Sequence, residues 1–497
     1  MSLIKEIETR FPVDQWIVAG IHIWPLIRLE IHYSYSSRKQ AQSSVDSSSR
    51  NNILKIGSWW KKTHDAHSRD KVHSADLREE KDCLFLIRSS LRSYNHNGQM
   101  FSVISDTFAS SLNQIGLDSL TLEYEPNYNF RLPRYSKSII VQFRLDLLKI
   151  VSKISRILNI SDKNSELADF EEFRDYIAEN MSEYLYIDQS WLFYQADLLN
   201  RRKSHYAKIL NRVKPSVVFI IPYYLPETMP MVLACKELEI PVVDVQHGII
   251  NEYVIPYSNW QSIPDGGYEL IPDFFWVWGK TQKDVIDSWF KKKESPCFLG
   301  GNLWLNLWKS ENNFLIDKTV QEEIRELTEN YVISILLALQ PGYLSENIIK
   351  AIENSPSDWF WWIRLHPNMQ QDASLIEQKI HSQHGNFNIE LASRISLPQL
   401  LKNVDVNCTA YSTVYIEAKH MDVPTVFFHK NAKFLYSQAI DNGTAIYTEN
   451  AQDIIEGIKD CERLRKNILK QRDGGSPDES NVARFEKFLG WLEKQSL

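Results

Sequence analysis

Short runs of consecutive apolar residues recur along the chain and are separated by segments whose apolar residues repeat at helical spacing. The runs at 217–221 and 242–245 are rich in valine and isoleucine and do not alternate with polar residues. Such runs are typical of parallel strands covered on both faces, and the segment 229–239 between them has the length of a crossover helix. Strand, helix and strand in this order predict a doubly wound parallel α/β sheet.

The same pattern begins twice, which predicts two sheets and therefore two domains. The first series of apolar runs starts at 83–87, and the second starts at 274–278 and ends at 423–428. Proline and glycine cluster between residues 250 and 273, as expected at a domain boundary. We therefore predict a helical N-terminal extension with a Ser-rich linker at 1–80, Rossmann-like domains at 81–265 and 266–475, and a C-terminal helix at 476–497 that packs back on the first domain.

The N-terminal extension has two parts of different character. Apolar residues such as Trp16, Ala19 and Ile27 repeat at helical spacing and predict a helix, with Pro25 as a kink or restart. A stripe of this kind is usually core or a docking face, and a shallow contact with a membrane surface stays open as the alternative. Residues 34–52 are rich in serine, which predicts a flexible linker or loop.

Composition and charge narrow the class of protein. Of the 497 residues, 43% are hydrophobic and 24% charged, which is typical of globular domains, and the formal net charge of -7 argues against a nucleic-acid partner held by a broad basic face. Five scattered cysteines without CxxC spacing support neither a zinc site nor a disulfide framework. Neither a secretory leader nor a membrane span is apparent. We expect a cytoplasmic protein, and peripheral contact with the inner face of the membrane stays open.

A Gln-His-Gly turn ends the apolar run at 242–245. Ligands of open parallel sheets bind just beyond the carboxyl ends of the strands, so His247 would lie at the rim of a crevice, where Gly248 lets the backbone turn or approach a ligand. We expect Gln246, Gly248, Ser89 and Asn97 to line this crevice on the side of an acceptor, the last two from a polar stretch after another strand. The alternative for His247 is an ordinary histidine in a strand-to-loop turn.

Arg364 and His366 lie two residues apart at the end of an inferred strand, so both side chains leave the same face. Pro367 ends this strand and places the pair at its carboxyl edge. An arginine and a histidine there suit an anionic phosphate or diphosphate. The alternative is a structural arginine paired with a surface carboxylate.

The segment 409–418 opens a helix after another strand. Ser412 and Thr413 stand at its amino end, where free backbone N–H groups and hydroxyls can cradle an anion, although either hydroxyl can instead be an ordinary N-cap. Glu417 falls on the inward stripe of this helix. A carboxylate there needs a partner, because burying it unpaired is costly. Sugar hydroxyls or a structural arginine can supply that partner.

An ordered set of motifs resembles the GT-B-fold transferases of bacterial surface polymers. The motifs are Gln246-His247-Gly248, Trp278-Gly279, Gly300-Gly301-Asn302, Arg364-Leu365-His366-Pro367 and the segment from Ser412 to Glu417-Ala418. The group includes CDP-glycerol glycerophosphotransferases of teichoic acid assembly and capsule transferases that use CMP-Kdo or CMP-sialic acid. The resemblance implies two Rossmann-like domains that face each other across a cleft. It also implies His247 as general base toward the acceptor, Arg364, His366, Ser412 and Thr413 on donor phosphate, and Glu417 on the ribose.

We therefore expect a glycosyltransferase of capsule or O-antigen assembly, which moves a sugar from a nucleotide sugar to a hydroxyl of a glycan or lipid-linked glycan. The sequence has no Asp-x-Asp dyad, so we expect a metal-independent, inverting reaction, no metal site and no cofactor beyond the donor. Three alternatives stay open: a nucleotide-sugar epimerase of the same fold, a glycerophosphotransferase, and a non-catalytic glycan-binding subunit.

Overall fold

The structure is a computed structural model that describes residues 2–41, 77, 79–157, 167–181, 187–290, 294–310, 313–380, 386–470 and 479–495. The chain divides into two compact units, one formed by Met1–Asn302 with Glu479–Leu497 and the other by Leu303–Asp478. The linker expected at 34–52 is wrong for residues 34–41, which belong to a helix that ends at Ala41, and the rest of it lies outside the described residues. Each unit is an α/β sheet structure, as the alternation of strands and helices predicts.

The N-terminal segment belongs to the core of the first unit. It consists of helix α1 (Ser2–Arg10), a hairpin of strands β1 (Ile17–Val18) and β2 (Ile21–His22), and helix α2 (Trp24–Ala41). The helix expected from Trp16 onward is therefore wrong before Trp24. Ala19 and Gly20 have φ of 49° and 78°, which a two-residue hairpin turn requires and a helix excludes. Pro25 stands in the first turn of α2, where its missing N–H is not needed.

A wholly buried ion pair fastens α1 and α2 to a loop far along the chain. Arg28 Nε donates to Glu8 Oε1 at 2.8 Å, and both side chains are fully enclosed. Arg28 also donates to the carbonyl oxygens of Ile255 and, at 2.8 Å, Ser258, and its guanidinium lies 4.0 Å from the centroid of the Trp260 ring. These bonds satisfy the buried charges, so the N-terminal segment holds the 255–260 loop in place.

A seven-stranded parallel sheet forms the centre of the first unit. Along the chain its strands are β3 (Cys83–Arg88), β6 (Ser119–Tyr124), β7 (Ser138–Ile140), β8 (Val217–Ile221), β9 (Val242–Val245), β10 (Phe274–Val277) and β11 (Cys297–Leu299); a separate antiparallel hairpin comprises β4 (Arg92–His96) and β5 (Gln99–Ser102). Numbered along the chain, the sheet runs 7-6-5-4-1-2-3, which is the Rossmann order with one strand added. Its helices are α3 (Ser105–Gln114), α4 (Gln142–Ile157), α5 (Phe170–Asn180), α6 (Gln189–Val213), α7 (Met229–Glu237) and α8 (Lys280–Asp287).

The first sheet extends further along the chain than the cluster of prolines and glycines indicates. β10 pairs with β9, and β11 pairs with β10, so both belong to the first unit, which ends at Asn302 instead of 265. The C-terminal helix (Asn481–Gln495) packs on this sheet through Phe485, whose ring lies 5.1 Å from those of Phe108 and Trp276. A Cβ on Gly300 would come within 1.9 Å of the Trp276 ring, so the Gly300-Gly301 turn is required by packing.

A six-stranded parallel sheet forms the centre of the second unit. Its strands are β12 (Ile333–Ala338), β13 (Trp359–Arg364), β14 (Phe387–Asn388), β15 (Val406–Thr409), β16 (Thr425–Phe427) and β17 (Ala445–Tyr447), and they lie in the Rossmann order 3-2-1-4-5-6. The helices are α9 (Leu303–Lys309), α10 (Lys318–Thr328), α11 (Glu346–Glu353), α12 (Ala373–Lys379), α13 (Glu390–Arg394), α14 (Leu397–Leu401), α15 (Val414–His420), α16 (Asn431–Leu435), α17 (Ser437–Asp441), α18 (Ala451–Lys459) and α19 (Cys461–Lys470). Within the described residues, no helix is long and apolar enough to cross a membrane.

Replacement of Arg28 by methionine should destabilise the protein by about 3–5 kcal/mol, because it leaves the Glu8 carboxylate buried without its cation. Urea denaturation followed by tryptophan fluorescence measures the loss. Arg10→Met is the matched control, because Arg10 forms an exposed pair with Glu172 and its removal should leave the unfolding midpoint unchanged. Equal midpoints for the Arg28 and Arg10 variants would contradict the role of the buried pair.

Candidate functional site

Both sheets have a point at which ligands are expected to bind. In doubly wound sheets this point lies beyond the carboxyl ends of the two neighbouring strands from which the connections run in opposite directions. These strands are β3 and β8 in the first unit and β12 and β15 in the second. The candidate site residues predicted from the sequence lie at the carboxyl ends of four strands. Those of the first unit are at β3 and β9, and those of the second unit are at β13 and β15.

His247 lies two residues beyond β9 in a half-buried position. Its Nε2 is 3.4 Å from the phenol oxygen of Tyr224, and its Nδ1 is enclosed with no hydrogen-bond partner in the described part of the chain. Burial lowers the pKa of His247 to about 4, against a weaker opposing effect of the Val245 backbone. The imidazole is therefore neutral at physiological pH and retains a lone pair that can accept a proton.

The neighbours of His247 fix the backbone of the turn. Gln246 is buried; its Nε2 donates to the carbonyl of Gly248 at 2.8 Å, and its Oε1 accepts from the amide of Trp278 at 2.7 Å. The Gln246 side chain thus joins the end of β9 to the end of β10. Its expected contact with an acceptor stays a prediction, whereas its observed bonds position His247.

A buried carboxylate and three tyrosines beneath His247 are absent from the predicted site. Asp244 accepts from the amide of Tyr223 at 2.9 Å and from the hydroxyl of Tyr257 at 2.7 Å. Burial raises the pKa of Asp244 to about 8, and these hydrogen bonds oppose the rise only in part. The Tyr257 ring packs edge-on against Tyr224, which reaches His247. In the sequence, the neighbouring Tyr223 and Tyr224 shortly after the strand at 217–221 were the signal that could have indicated this cluster.

Ser89 and Asn97 have structural roles that the sequence did not indicate. Ser89 is buried after β3, and its hydroxyl accepts from the amide of Arg131 at 3.1 Å. Asn97 is exposed in the turn between β4 and β5 with φ of 51°, and Gly98 follows with φ of 82°, as expected of an Asn-Gly hairpin turn. The polar stretch after β3 is therefore a hairpin, and contact of these two residues with an acceptor stays a prediction.

The hairpin of β4 and β5 is anchored by buried charges. Arg92 donates to Glu123 at 2.8 Å and to Asp106 at 2.9 Å, and all three side chains are enclosed. Asp106 also accepts from the amide of Ser102 at 2.7 Å. Such a network holds the hairpin at the carboxyl edge of the sheet.

Arg364 is the last residue of β13 in the second unit. Its Nη1 donates to the carbonyls of Ala392 at 2.7 Å and Ile395 at 2.6 Å, while Nε and Nη2 make no hydrogen bond within the residues described. Burial lowers the pKa of Arg364, and the charge of Glu417 opposes this. The side chain is thus fixed by one nitrogen and keeps donors available for an anion.

Glu417 lies on α15, half-buried and near Arg364 but too far from it for a salt bridge. Burial raises the pKa of Glu417 to about 7, and Arg364 lowers it by less. Its carboxylate accepts no hydrogen bond from any described residue. The alternative of a structural arginine directly paired with this acid is therefore not what the structure shows, and sugar hydroxyls as the partner of Glu417 stay a prediction.

Two of the remaining predicted donor residues make local hydrogen bonds. Ser412 Oγ accepts from the amide of Val414 at 3.3 Å just before α15, whose N-cap Thr413 is exposed and makes no side-chain cap bond. His366 is exposed, and its Nδ1 accepts from the amide of Asn368 at 3.2 Å. The neutral His366 ring therefore carries its hydrogen on Nε2. Phosphate binding by these residues stays a prediction.

A second His-x-Asn turn follows β16, which the sequence analysis did not single out. His429 Nδ1 accepts from the amide of Asn431 at 3.3 Å, the same bond that His366 makes with Asn368. The His429 ring lies 4.9 Å from the ring of Tyr343 and 5.4 Å from that of Tyr411. The repeated His-x-Asn spacing after two apolar runs was the signal that could have found it. Among the residues described, no three His, Cys, Asp or Glu side chains are placed to hold a metal.

Comparison with known proteins identifies the fold. No protein-family model and no curated protein matches the chain. A Listeria monocytogenes protein named as a candidate UDP-N-acetylglucosamine 2-epimerase is similar in structure, with 13% identity, a TM-score of 0.50 and coverage of 84% of this chain and 96% of its own. S. aureus MnaA with UDP (13% identity, TM-score 0.47, coverage 83% and 96%) and the wall teichoic acid polymerase TagF (11%, 0.44, 89% and 95%) are also similar.

At these identities the likeness shows the fold alone. The two parallel sheets, each in the Rossmann order, define the class of protein: an α/β protein of the GT-B fold. The fold class expected from the sequence is thus confirmed. A more particular family is not shown.

The Glu417 carboxyl should titrate near pH 7, well above an ordinary glutamate, because burial disfavours its charged form. In infrared difference spectra of wild type against Glu417→Gln, the absorption of the protonated carboxyl should be present at about pH 5 and lost by about pH 9, with a midpoint near 7. Subtracting the variant removes the contribution of Asp244. A midpoint near that of solvent-exposed glutamates would contradict the environment described for Glu417.

Proposed function

We propose that the protein is a nucleotide-sugar-dependent glycosyltransferase of bacterial surface polysaccharide assembly, such as that of capsule or O-antigen. The supporting observation is the proximity of Glu417 and Arg364 beside the switch point of the second sheet, where a carboxylate without a hydrogen bond from the described residues lies near a cation that has donors available. A nucleoside phosphate complements both, because ribose hydroxyls donate to the carboxylate and phosphate oxygens accept from the guanidinium.

The donor in this proposal binds to the second unit. Glu417 accepts from the ribose, and Arg364 and His366 donate to phosphate. The hydroxyls of Ser412 and Thr413 add donors if ligand binding replaces their present contacts. The same donors meet the negative charge that develops on the departing phosphate, which lowers the barrier to transfer. The reaction needs no cofactor beyond the donor and, in this proposal, no metal.

His247 is the proposed general base. The acceptor hydroxyl gives its proton to the neutral imidazole, the acceptor oxygen forms a bond to the anomeric carbon, and the bond from that carbon to the phosphate oxygen breaks. A single displacement of this kind inverts the anomeric centre. Tyr224 holds His247 in position through its contact with Nε2, and this contact has to yield when an acceptor binds.

The proposed acceptor is a hydroxyl of a glycan or of a lipid-linked glycan. A lipid-linked acceptor would bring the protein to the inner face of the membrane as a peripheral protein. The nearest competing function is a nucleotide-sugar epimerase, since that activity is named for the protein whose fold this chain shares. Incubation with nucleotide sugars in the absence of acceptor separates the two, because only an epimerase converts the donor into an isomer.

Substitution of His247 by glutamine should reduce glycosyl transfer by about two to four orders of magnitude, as expected for removal of a general base, while donor affinity stays within about twofold. Product formation and calorimetric titration measure the two quantities. His205→Gln is the matched control, because burial also lowers the pKa of His205 to about 4 in the same unit, on α6. Full activity of the His247 variant, or equal loss in both variants, would contradict this assignment.

Nucleotide affinity should depend on pH through Glu417. Below pH 7 the carboxyl is protonated in the free protein, and binding to the carboxylate must first displace that proton. Affinity should therefore rise about tenfold per pH unit up to about 7 and level off above it, for nucleotides whose own phosphates do not titrate in this range. The Glu417→Gln variant should bind weakly with no such dependence, and a pH profile identical to that of wild type would contradict ribose binding by Glu417.

A further inference from the structure

Three rings meet at the carboxyl edge of the second sheet, beside the proposed nucleotide site. Tyr343 follows β12, Tyr411 follows β15 and His429 follows β16. The ring centroids of the two tyrosines lie 5.0 Å apart, and their hydroxyl groups share a hydrogen bond of 2.5 Å. All three side chains are half-buried, so each ring keeps a surface that the protein does not cover.

The hydrogen bonds within this cluster leave donors available. Each phenol can donate one hydrogen bond. The Tyr411 hydroxyl donates to the Tyr343 hydroxyl, so the hydrogen of Tyr343 stays available. Asn431 donates to Nδ1 of His429, so the neutral imidazole carries its hydrogen on Nε2. The cluster therefore combines apolar ring surface with hydrogen-bonding groups and contains no carboxylate or ammonium group.

The order of the strands separates His429 from the phosphate-binding residues of β13. Arg364 ends β13, and the strands follow one another as β13, β12, β15 and β16. Neighbouring strands lie ~4.8 Å apart, so the ends of β13 and β16, which carry His366 and His429, are separated by about 14 Å. One phosphate cannot bridge this distance. A ligand that uses both ends has to be extended along the edge of the sheet.

We propose that Tyr343, Tyr411 and His429 form the subsite for the group that the donor transfers, and that this group is a sugar ring. The inference rests on the proposed function, in which Arg364 and Glu417 hold the nucleoside phosphate. Tyr411 directly precedes Ser412, a proposed phosphate-binding residue, so a group attached to that phosphate lies within reach of the three rings. A sugar suits the cluster, because its C–H faces pack on aromatic rings and its hydroxyls accept from Nε2 of His429 and from the free phenol hydrogen.

The test compares calorimetric affinities for matched pairs of probes: UDP with UDP-N-acetylglucosamine, GDP with GDP-mannose, CMP with CMP-sialic acid, and CDP with CDP-glycerol. The main variant is His429→Asn. An asparagine oxygen can take the place of Nδ1 and keep the bond from the Asn431 amide, while the Nε2–H donor is removed. Tyr343→Phe and Tyr411→Phe keep both rings and remove one hydroxyl each.

We expect His429→Asn to weaken binding of the nucleotide sugar by about tenfold and to change binding of the matching nucleotide by less than about twofold. Tyr343→Phe should weaken binding of the nucleotide sugar by about threefold to tenfold, the effect of one lost hydrogen bond, because Tyr411 donates to Tyr343 and the free phenol hydrogen is that of Tyr343. Tyr411→Phe keeps this hydrogen and should change binding of the nucleotide sugar by less than about twofold. His366→Asn serves as the contrast, because the same cap is kept at the phosphate position and binding of nucleotide and nucleotide sugar should fall together.

Several outcomes would overturn the assignment. Equal loss for nucleotide and nucleotide sugar in the His429 variant would make the cluster part of the nucleotide site, and no loss for either would make it a packing feature. If binding of CDP-glycerol, whose glycerol group has no ring, is weakened as much as binding of a nucleotide sugar, the class proposed for the transferred group is overturned. If wild type binds none of the eight probes, the proposed function fails first and this subsite fails with it.

Discussion

Parallel strand pairing is the constraint on which the structure of each unit depends. Every pair of neighbouring strands in the two large sheets is parallel, from β11 to β7 in one and from β14 to β17 in the other. Parallel strands require crossover connections, which cover both faces of the sheet with helices and bury the strands. Polar side chains that are to meet a ligand are thereby restricted to the ends of the strands. The carboxyl edge is where His247, Arg364 and His429 all lie.

Buried ionisable side chains occur in two environments. Those that stabilise the fold have hydrogen-bonding partners, whereas those of the candidate site largely lack them. Arg28 with Glu8, and Arg92 with Glu123 and Asp106, are enclosed with hydrogen-bonding partners, and they attach the N-terminal segment and the hairpin to the first sheet. Glu417 and His247 are also removed from much of the solvent, yet the Glu417 carboxylate has no hydrogen-bond partner among the described residues and the side-chain contact of His247 with Tyr224 is long. Desolvation that is only partly compensated shifts their pKa values toward the neutral form. A group held in this state is ready to exchange a proton or to take a ligand as its partner.

Several elements could be read from local pattern because their determinants are local. The apolar runs at 217–221 and 242–245 are the strands β8 and β9, and of the two interpretations of Pro25, a kink or a restart, the structure shows the start of a helix. The hairpin at Ala19-Gly20 was missed because its apolar residues fit helical spacing by coincidence, and only the positive φ angles of the turn exclude a helix. The boundary near 265 was misplaced because strand order, which assigns β10 and β11 to the first sheet, is set by pairing between segments distant in the chain.

The sequence by itself determined that the protein is α/β, that it has two doubly wound sheets, and that His247, Arg364 and Glu417 follow the ends of strands. These properties depend on periodicity and on the residues that stop a strand, both of which are visible within about ten positions of the chain. Only the tertiary structure decided that Gln246 is a structural brace, that Glu417 lacks a salt bridge, that Asp244 is buried under three tyrosines, and that Tyr343, Tyr411 and His429 converge. The physical reason is that the hydrogen-bond partners of a side chain and its exposure to solvent depend on which distant segments pack around it. The local sequence pattern does not specify those segments.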